Sequence, residues 1–211
     1  NGSVKDSIYD ALVFSKFKKV LGGKVRIIVT GSAPIAGEVL NFLKIAFSCR
    51  VFEAYGQTET TAGLSITNHK DGISGHVGGV FPHNEMKLVD VPEMDYTSLD
   101  VIDGEKQPRG EICVRGYNTF VGYYKAPEKT RETKDEDGWV HTGDIGQILP
   151  NGALRIIDRK KNIFKLAQGE YIAAEKLEIA FGNLDVVKQI FIYGDSLQTY
   201  LVAIIVPEKS A

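Results

Sequence analysis

Apolar residues recur at helical spacing through residues 4–21, at Val4, Ile8, Leu12, Phe14, Phe17 and Leu21, with lysines between them. Such a stripe predicts an amphipathic helix. The pattern then shortens. Residues 25–29 (VRIIV) are a compact apolar run that predicts a buried strand, and GSAP at residues 31–34 punctuates it. Residues 37–47 return to helical spacing through Val39, Leu40, Leu43 and Phe47, and residues 50–54 (RVFEA) predict another strand. Strand, turn, helix and strand in that order form a βαβ unit, which requires a parallel sheet.

From His76 onward short strands follow one another, at residues 85–89, 111–115, 145–149 and 154–157. The last two flank Asn151-Gly152, a dipeptide that predicts a hairpin. One helix interrupts them, from Pro127, suited to the first helical position, to about Glu136, with Gly138 past its end. This stretch reads as a small β subdomain. Residues 159–165 are charged, with Ile163 and Phe164 their only apolar members. A helix at 173–181 and strands at 187–193 and 201–206 come after them. The expected domain boundary lies at residues 159–161, dividing 1–158 from 159–211. The fold class is α/β: a parallel βαβ segment, a small β subdomain, and then the start of a second, α+β domain.

Composition changes this picture little. The chain has 211 residues, 43% hydrophobic and 25% charged, enough to bury a core in one large domain or in one domain and part of another. A net charge of −2 without a basic block gives no support for nucleic-acid binding. Cys49 and Cys113 lie far apart, without metal or redox spacing, and are expected to be reduced thiols of an intracellular protein. No signal peptide or apolar run of spanning length is present. The chain starts at Asn1 and stops at Ala211 soon after an apolar run, so both ends are expected to be cuts in a longer protein.

Four segments carry candidate chemistry. YGQTET at residues 55–60 follows directly on an expected strand, where α/β proteins place ligands. Gly56 permits a backbone shape that other residues resist. Threonine hydroxyls there can donate to phosphate oxygens, and Glu59 is a suitable magnesium ligand. A polar turn with a capping threonine would look the same. The small residues Gly31, Ser32 and Ala33 let a flat ring approach the backbone, but a tight turn into a helix needs them equally. Asp144, in HTGD at residues 141–144, can accept hydrogen bonds from both hydroxyls of a ribose, or cap a turn. Arg159, Lys160, Lys161 and Lys165 concentrate four cations beside the expected boundary, as a solvated basic loop or as a hinge whose arginine holds a nucleotide. Gly169 would let a loop of the second domain approach a ligand.

Together, YGQTET at 55–60, TGD at 142–144 and residues 158–178 resemble the motifs of the adenylate-forming superfamily. That superfamily contains acyl-CoA synthetases, peptide-synthetase adenylation domains and firefly luciferase. DGWVHTGDIG at 137–146, IIDRKK at 156–161 and KLAQGEY at 165–171 are similar to the fatty-acyl-CoA synthetase signature. The last string points to the long-chain fatty-acid–CoA ligases. GKVRIIVTGSAP at 23–34 and KLVDV at 87–91 resemble the eukaryotic members.

This resemblance covers essentially the whole chain, and it implies roles. Gly31, Ser32 and Ala33 would line an adenine pocket, with Tyr55 stacking on the ring and Gly56 and Gln57 also among the nucleotide-binding residues. Thr58 would contact phosphate and Glu59 would bind Mg2+. Asp144 would hold the ribose with Arg159 assisting. Lys161 would sit at the hinge, and Lys165 would belong to the face the second domain presents during thioester formation. ATP, Mg2+, coenzyme A and a long-chain fatty acid are the implied partners. The endoplasmic reticulum or mitochondrial membrane surface is the implied location, reached through regions absent from this chain. The family's phosphate loop and its second-domain lysine are not found, so the isolated chain is expected to be inactive. Another adenylate-former, or a truncated nucleotide-binding product without catalysis, is the alternative. One departure is Ala174, where the family usually carries proline; it is expected to loosen a loop.

Overall fold

A π-helical turn, Asp10–Phe14, runs into an α-helix, α1, Ser15–Val20. These belong to a computed structural model that describes residues 9–168, 170–195 and 197–208. The helix expected at 4–21 is therefore present from Tyr9 on, while Val4 and Ile8 lie outside the described residues. Most of its described apolar residues are uncovered. Leu12, Val20 and Leu21 are exposed, and Phe17 meets Phe42 edge-on at 6.0 Å between ring centres. An i→i+5 turn holds more residues than an α turn, so a stripe counted at helical spacing drifts off one face.

Strand β1 (Ile27–Thr30), helix α2 (Gly37–Phe47) and strand β2 (Arg50–Tyr55) form the expected βαβ unit, with β1 and β2 parallel and Thr30 opposite Glu53. Helix α2 carries Glu38 in its first turn and Lys44 in its last, each complementing the helix dipole. It ends at Ser48, which is left-handed at φ 46°. Its Leu40 joins Cys49 and Val51 in a buried cluster, packed around by Val25, Ile28, Ile35, Leu43 and Phe47. The strand expected to be buried is not. Ile27 and Val29 are 56% and 57% exposed, because strand side chains alternate between faces and, among the described residues, only the Ile28 face is packed. Two-residue strands β3 (Ser65–Ile66) and β4 (Gly79–Val80) complete the order β1-β2-β3-β4, both joining antiparallel.

Next come β5 (Asn84–Val89), the short pair β6 (Val101–Ile102) and β7 (Glu105–Lys106), and β8 (Arg109–Gly116). Helix α3 (Pro127–Thr133) follows, then β9 (Val140–Ile148) and β10 (Leu154–Arg159). A four-stranded sheet has the order β10-β9-β8-β5, so the strands flanking Asn151-Gly152 are neighbours as expected. Helix α3 is shorter than expected. Lys134 turns extended and bridges Val140, while Asp135 takes the Trp139 amide on its side chain at 2.8 Å, which closes a turn where another helical turn would have run.

Strands β11 (Ile163–Lys165) and β12 (Tyr171–Ala173) pair antiparallel, so the charged segment ends in a hairpin that its composition hid. Helix α4 (Ala174–Gly182) and the antiparallel pair β13 (Val187–Gly194) and β14 (Leu201–Pro207) close the chain as expected. Ala174 is the buried first residue of α4, not part of a loop. Proline also suits that position, so the departure leaves the backbone path unchanged. Cys49 and Cys113 are both buried, and neither forms a disulfide. No described helix is long and apolar enough to cross a membrane.

The chain forms two compact units, residues 1–86, 114–140 and 151–155, and residues 87–113, 141–150 and 156–211.

Candidate functional site

In the first unit two loops leave neighbouring parallel strands at their C-terminal ends, the position where open α/β sheets place ligands. The loop after β1 crosses the backbone of β2 closely: a Cβ on Gly31 would stand 2.8 Å from the Ala54 carbonyl oxygen. Ser32 follows in the left-handed region at φ 69°, a conformation a serine adopts only under constraint. Gly31, Ser32 and Ala33 are all exposed there.

The loop after β2 is tighter. Tyr55 ends the strand half-buried, and Gly56 has no room for a side chain, since its Cβ would lie 2.0 Å from the Ala62 carbonyl oxygen. Thr58, Glu59 and Thr60 form a 3-10 turn. The Gln57 amide donates to the Thr60 hydroxyl at 2.9 Å, and that hydroxyl donates back to the Gln57 carbonyl at 3.1 Å. Thr60 is fully buried. Its hydroxyl is thus spent on the loop itself, while Thr58 is exposed and Glu59 half-exposed. Of the two threonines flanking Glu59, only Thr58 is exposed.

Residues far along the chain hold this loop. Asn118 donates its amide to the Thr60 and Gly63 carbonyls at 2.8 and 2.9 Å, and Thr61 donates its hydroxyl to the Asn118 carbonyl at 2.6 Å. The Phe120 amide donates to the Glu59 carbonyl at 2.8 Å, and the Tyr123 hydroxyl to the Glu59 carboxylate at 2.5 Å. Burial, and then the hydrogen bond to Glu59, raises the Tyr123 hydroxyl above its ordinary pKa. Nothing in the sequence marks Asn118 or Tyr123. They act across separations of 55 to 64 residues, which local pattern does not report.

Among the described residues no group of three or more His, Cys, Asp or Glu is placed to hold a metal. Magnesium bound by one carboxylate and a nucleotide's phosphate oxygens needs no such group. Glu59, half-exposed and with its carboxylate already accepting from Tyr123, could supply one such carboxylate oxygen.

In the second unit Asp144 lies in β9 with its side chain 5% exposed, and its Oδ1 stands 3.2 Å from Arg159 Nε. Thr142 Oγ1 accepts the Asp144 amide at 3.1 Å and donates to the Ile112 carbonyl at 2.8 Å. Ile145, next along, enters a buried cluster with Val91, Ile157 and Ile163. Asp144, in the middle of β9, and Arg159, at the end of neighbouring β10, two residues assigned to one ribose by resemblance, are thus brought together.

The other cations diverge. Lys160 pairs with Glu93 at 3.3 Å, and Glu93 is held below the usual carboxylate pKa by its own backbone amide and then by Lys160. Lys161 is exposed in a 3-10 turn. Lys165 sits on β11 opposite Tyr171, its ammonium 4.9 Å from that ring's centre, and the Tyr171 hydrogen bond raises its pKa. Gly169 lies outside the described residues.

The model of the family described as "AMP-binding enzyme" matches residues 6–124. The chain is similar to long-chain-fatty-acid–CoA ligase 5 of Rattus norvegicus, at 54% identity over 212 residues, covering 100% of this chain and 30% of that protein. It is also similar to long chain acyl-CoA synthetase 7, peroxisomal, of Arabidopsis thaliana, at 55% identity over 97% of this chain and 29% of that protein. Among solved structures, the A domain of carboxylic acid reductase from Segniliparus rugosus, in complex with AMP and a co-purified carboxylic acid, matches with a TM-score of 0.80 and 35% identity. That match covers 97% of this chain and 30% of the reductase chain. The chain therefore spans about 30% of the length of the curated relatives it matches. With the family model covering more than half of the chain, and with α/β loops of this form, the chain belongs to the AMP-binding enzyme family.

Proposed function

We propose that this chain is the nucleotide-handling part of a long-chain fatty-acid–CoA ligase. The observation that carries this is the pair of glycine-containing loops side by side at the C-terminal ends of parallel β1 and β2. The relatives' names supply the substrate class. Gly31, Ser32 and Ala33 line the adenine, Tyr55 stacks on it, and Gly56 and Gln57 shape the turn that presents Thr58 to phosphate. Asp144 and Arg159 take the ribose hydroxyls. Lys161 is a hinge between residues 1–158 and 159–211, and Lys165 lies on the face presented for thioester formation.

The reaction has two halves. A fatty-acid carboxylate oxygen attacks the α-phosphorus of ATP and pyrophosphate leaves, giving an acyl-adenylate. The CoA sulfur then attacks the acyl carbon, its proton is lost and AMP leaves. Glu59 would hold Mg2+, which when bound would supply positive charge to offset that of the phosphates. Domain rotation between the halves brings different groups to the reacting atoms. Association with a membrane surface is part of the proposal, but the organelle is not, since a relative named for the peroxisome is 55% identical. A second reading, an adenylate-former for another carboxylic acid, has support in the 35% identity to the reductase domain, which was solved with AMP and a co-purified carboxylic acid.

Titration of the purified chain with AMP and with ribose 5-phosphate tests the nucleotide assignment. Base–aromatic stacking is worth about 1–3 kcal/mol, so Tyr55→Ala is expected to weaken AMP binding about tenfold and to leave ribose 5-phosphate unchanged. Equal weakening of both, or no AMP binding by the unaltered chain, overturns it.

A further inference from the structure

Strand β9 is not regular. Gly143, between Thr142 and Asp144, has φ 69°, a left-handed value that a continuous strand does not accommodate. No atom outside its immediate neighbours lies within 4 Å of where a Gly143 Cβ would be, so the glycine serves the backbone conformation and not a tight fit. A bulge of this kind re-aims the side chain that follows it, here Asp144. The Gly143 amide donates to Glu111 Oε1 on the adjacent strand β8, at 3.2 Å. Glu111's other oxygen, Oε2, stands 3.8 Å from His141 Nδ1, and that same nitrogen is 3.4 Å from Cys113 Sγ. The Glu111 side chain is only 13% exposed. Burying a carboxylate is costly unless something engages it, and what engages this one is the backbone and histidine immediately before Asp144.

We propose that Glu111 is a positioning residue for Asp144: it pins the Gly143 bulge and so fixes the carboxylate that receives the ribose. This rests on Asp144 being the ribose residue. Three successive β8 residues grip the segment, Glu111 at Gly143 and His141, Ile112 at Thr142, and Cys113 at His141. Of these, Glu111 reaches the bulge amide itself. Its loss leaves that amide without its acceptor and lets Asp144 turn away from two hydroxyls at once.

The test is the affinity of the 211-residue chain for AMP and for 2′,3′-dideoxy-AMP, which lacks both hydroxyls. Hydrogen bonds to a charged group are worth about 1.5–3 kcal/mol, so Glu111→Ala is expected to weaken AMP binding about tenfold and to leave the dideoxy nucleotide unchanged. Glu111→Gln, whose amide oxygen accepts the same N–H, should stay within about twofold of the original for both nucleotides. If Glu111→Ala does not fold, Glu111→Asp retracts the carboxylate by one methylene and should show the same selective loss. Asp144→Ala is the control. Normal AMP binding in Glu111→Ala, with the selective loss still present in Asp144→Ala, overturns the positioning role and leaves the ribose assignment standing. So does equal loss of both nucleotides in Glu111→Ala. If the unaltered chain and Asp144→Ala bind the two nucleotides alike, the ribose assignment falls, and the positioning role with it.

Discussion

Replacing Gly56 by alanine is expected to destabilise the fold by about 3 kcal/mol, read as a lowered urea midpoint, which is the upper end of the usual cost of overpacking because the neighbours here are rigid. The added Cβ would stand 2.0 Å from the Ala62 carbonyl oxygen, 2.7 Å from its carbon and 3.0 Å from the Leu64 amide nitrogen. All three are backbone atoms, so no side chain can swing aside. Nor can the backbone yield easily. The Leu64 amide donates to the Tyr55 carbonyl at 2.8 Å, Leu64 is fully buried, and Thr61 and Ala62 are already left-handed at φ 49° and 73°. Gly72 is the matched control, with open space at its Cβ position and no left-handed φ. Alanine there is expected to change stability by less than about 0.5 kcal/mol. A Gly56→Ala protein that melts like the original would show that the loop is not built as described.

Asp144→Ala is expected to weaken AMP binding about 100-fold, since two charge-assisted hydrogen bonds are lost together. The effect should be separable from stability. Arg159, the partner of Asp144, is 52% exposed, so water replaces the carboxylate at the guanidinium when Asp144 is removed. Half-exposed ion pairs contribute about 1 kcal/mol or less. A small change in urea midpoint with a large change in affinity is therefore the expected pair of results. A large stability loss with affinity kept would make Asp144 a structural residue.

The sequence's apolar spacing identified α2, β2, the parallel pair and the Asn151-Gly152 hairpin, because in each the side-chain period and the turn chemistry agree. It failed where the decisive contact is nonlocal or the element very short. The strands β3, β4, β6 and β7 hold two residues each, too few for a period to appear. Whether both faces of β1 are covered depends on what packs against them, which VRIIV does not encode. At the candidate site, spacing selected Thr58, Glu59, Asp144 and Arg159 through family resemblance, and the fold brings Asp144 and Arg159 within an ion pair of each other. Spacing did not reveal that Thr60 turns inward, that Asn118 and Tyr123 brace the Glu59 turn, or that Glu111 reaches Gly143. Each of those is a through-space bond between segments whose local patterns are ordinary.

Whether these residues perform the adenylate chemistry of a long-chain ligase is decided by putting this chain in place of the 212 matching residues of the rat ligase and assaying acyl-CoA formation from ATP, CoA and a series of carboxylic acids. The graft is expected to release pyrophosphate and then AMP, and to form thioesters with long-chain fatty acids in preference to aryl or short-chain acids. A folded graft that binds AMP yet forms no long-chain acyl-CoA, or that activates only acids of another class, would contradict that role.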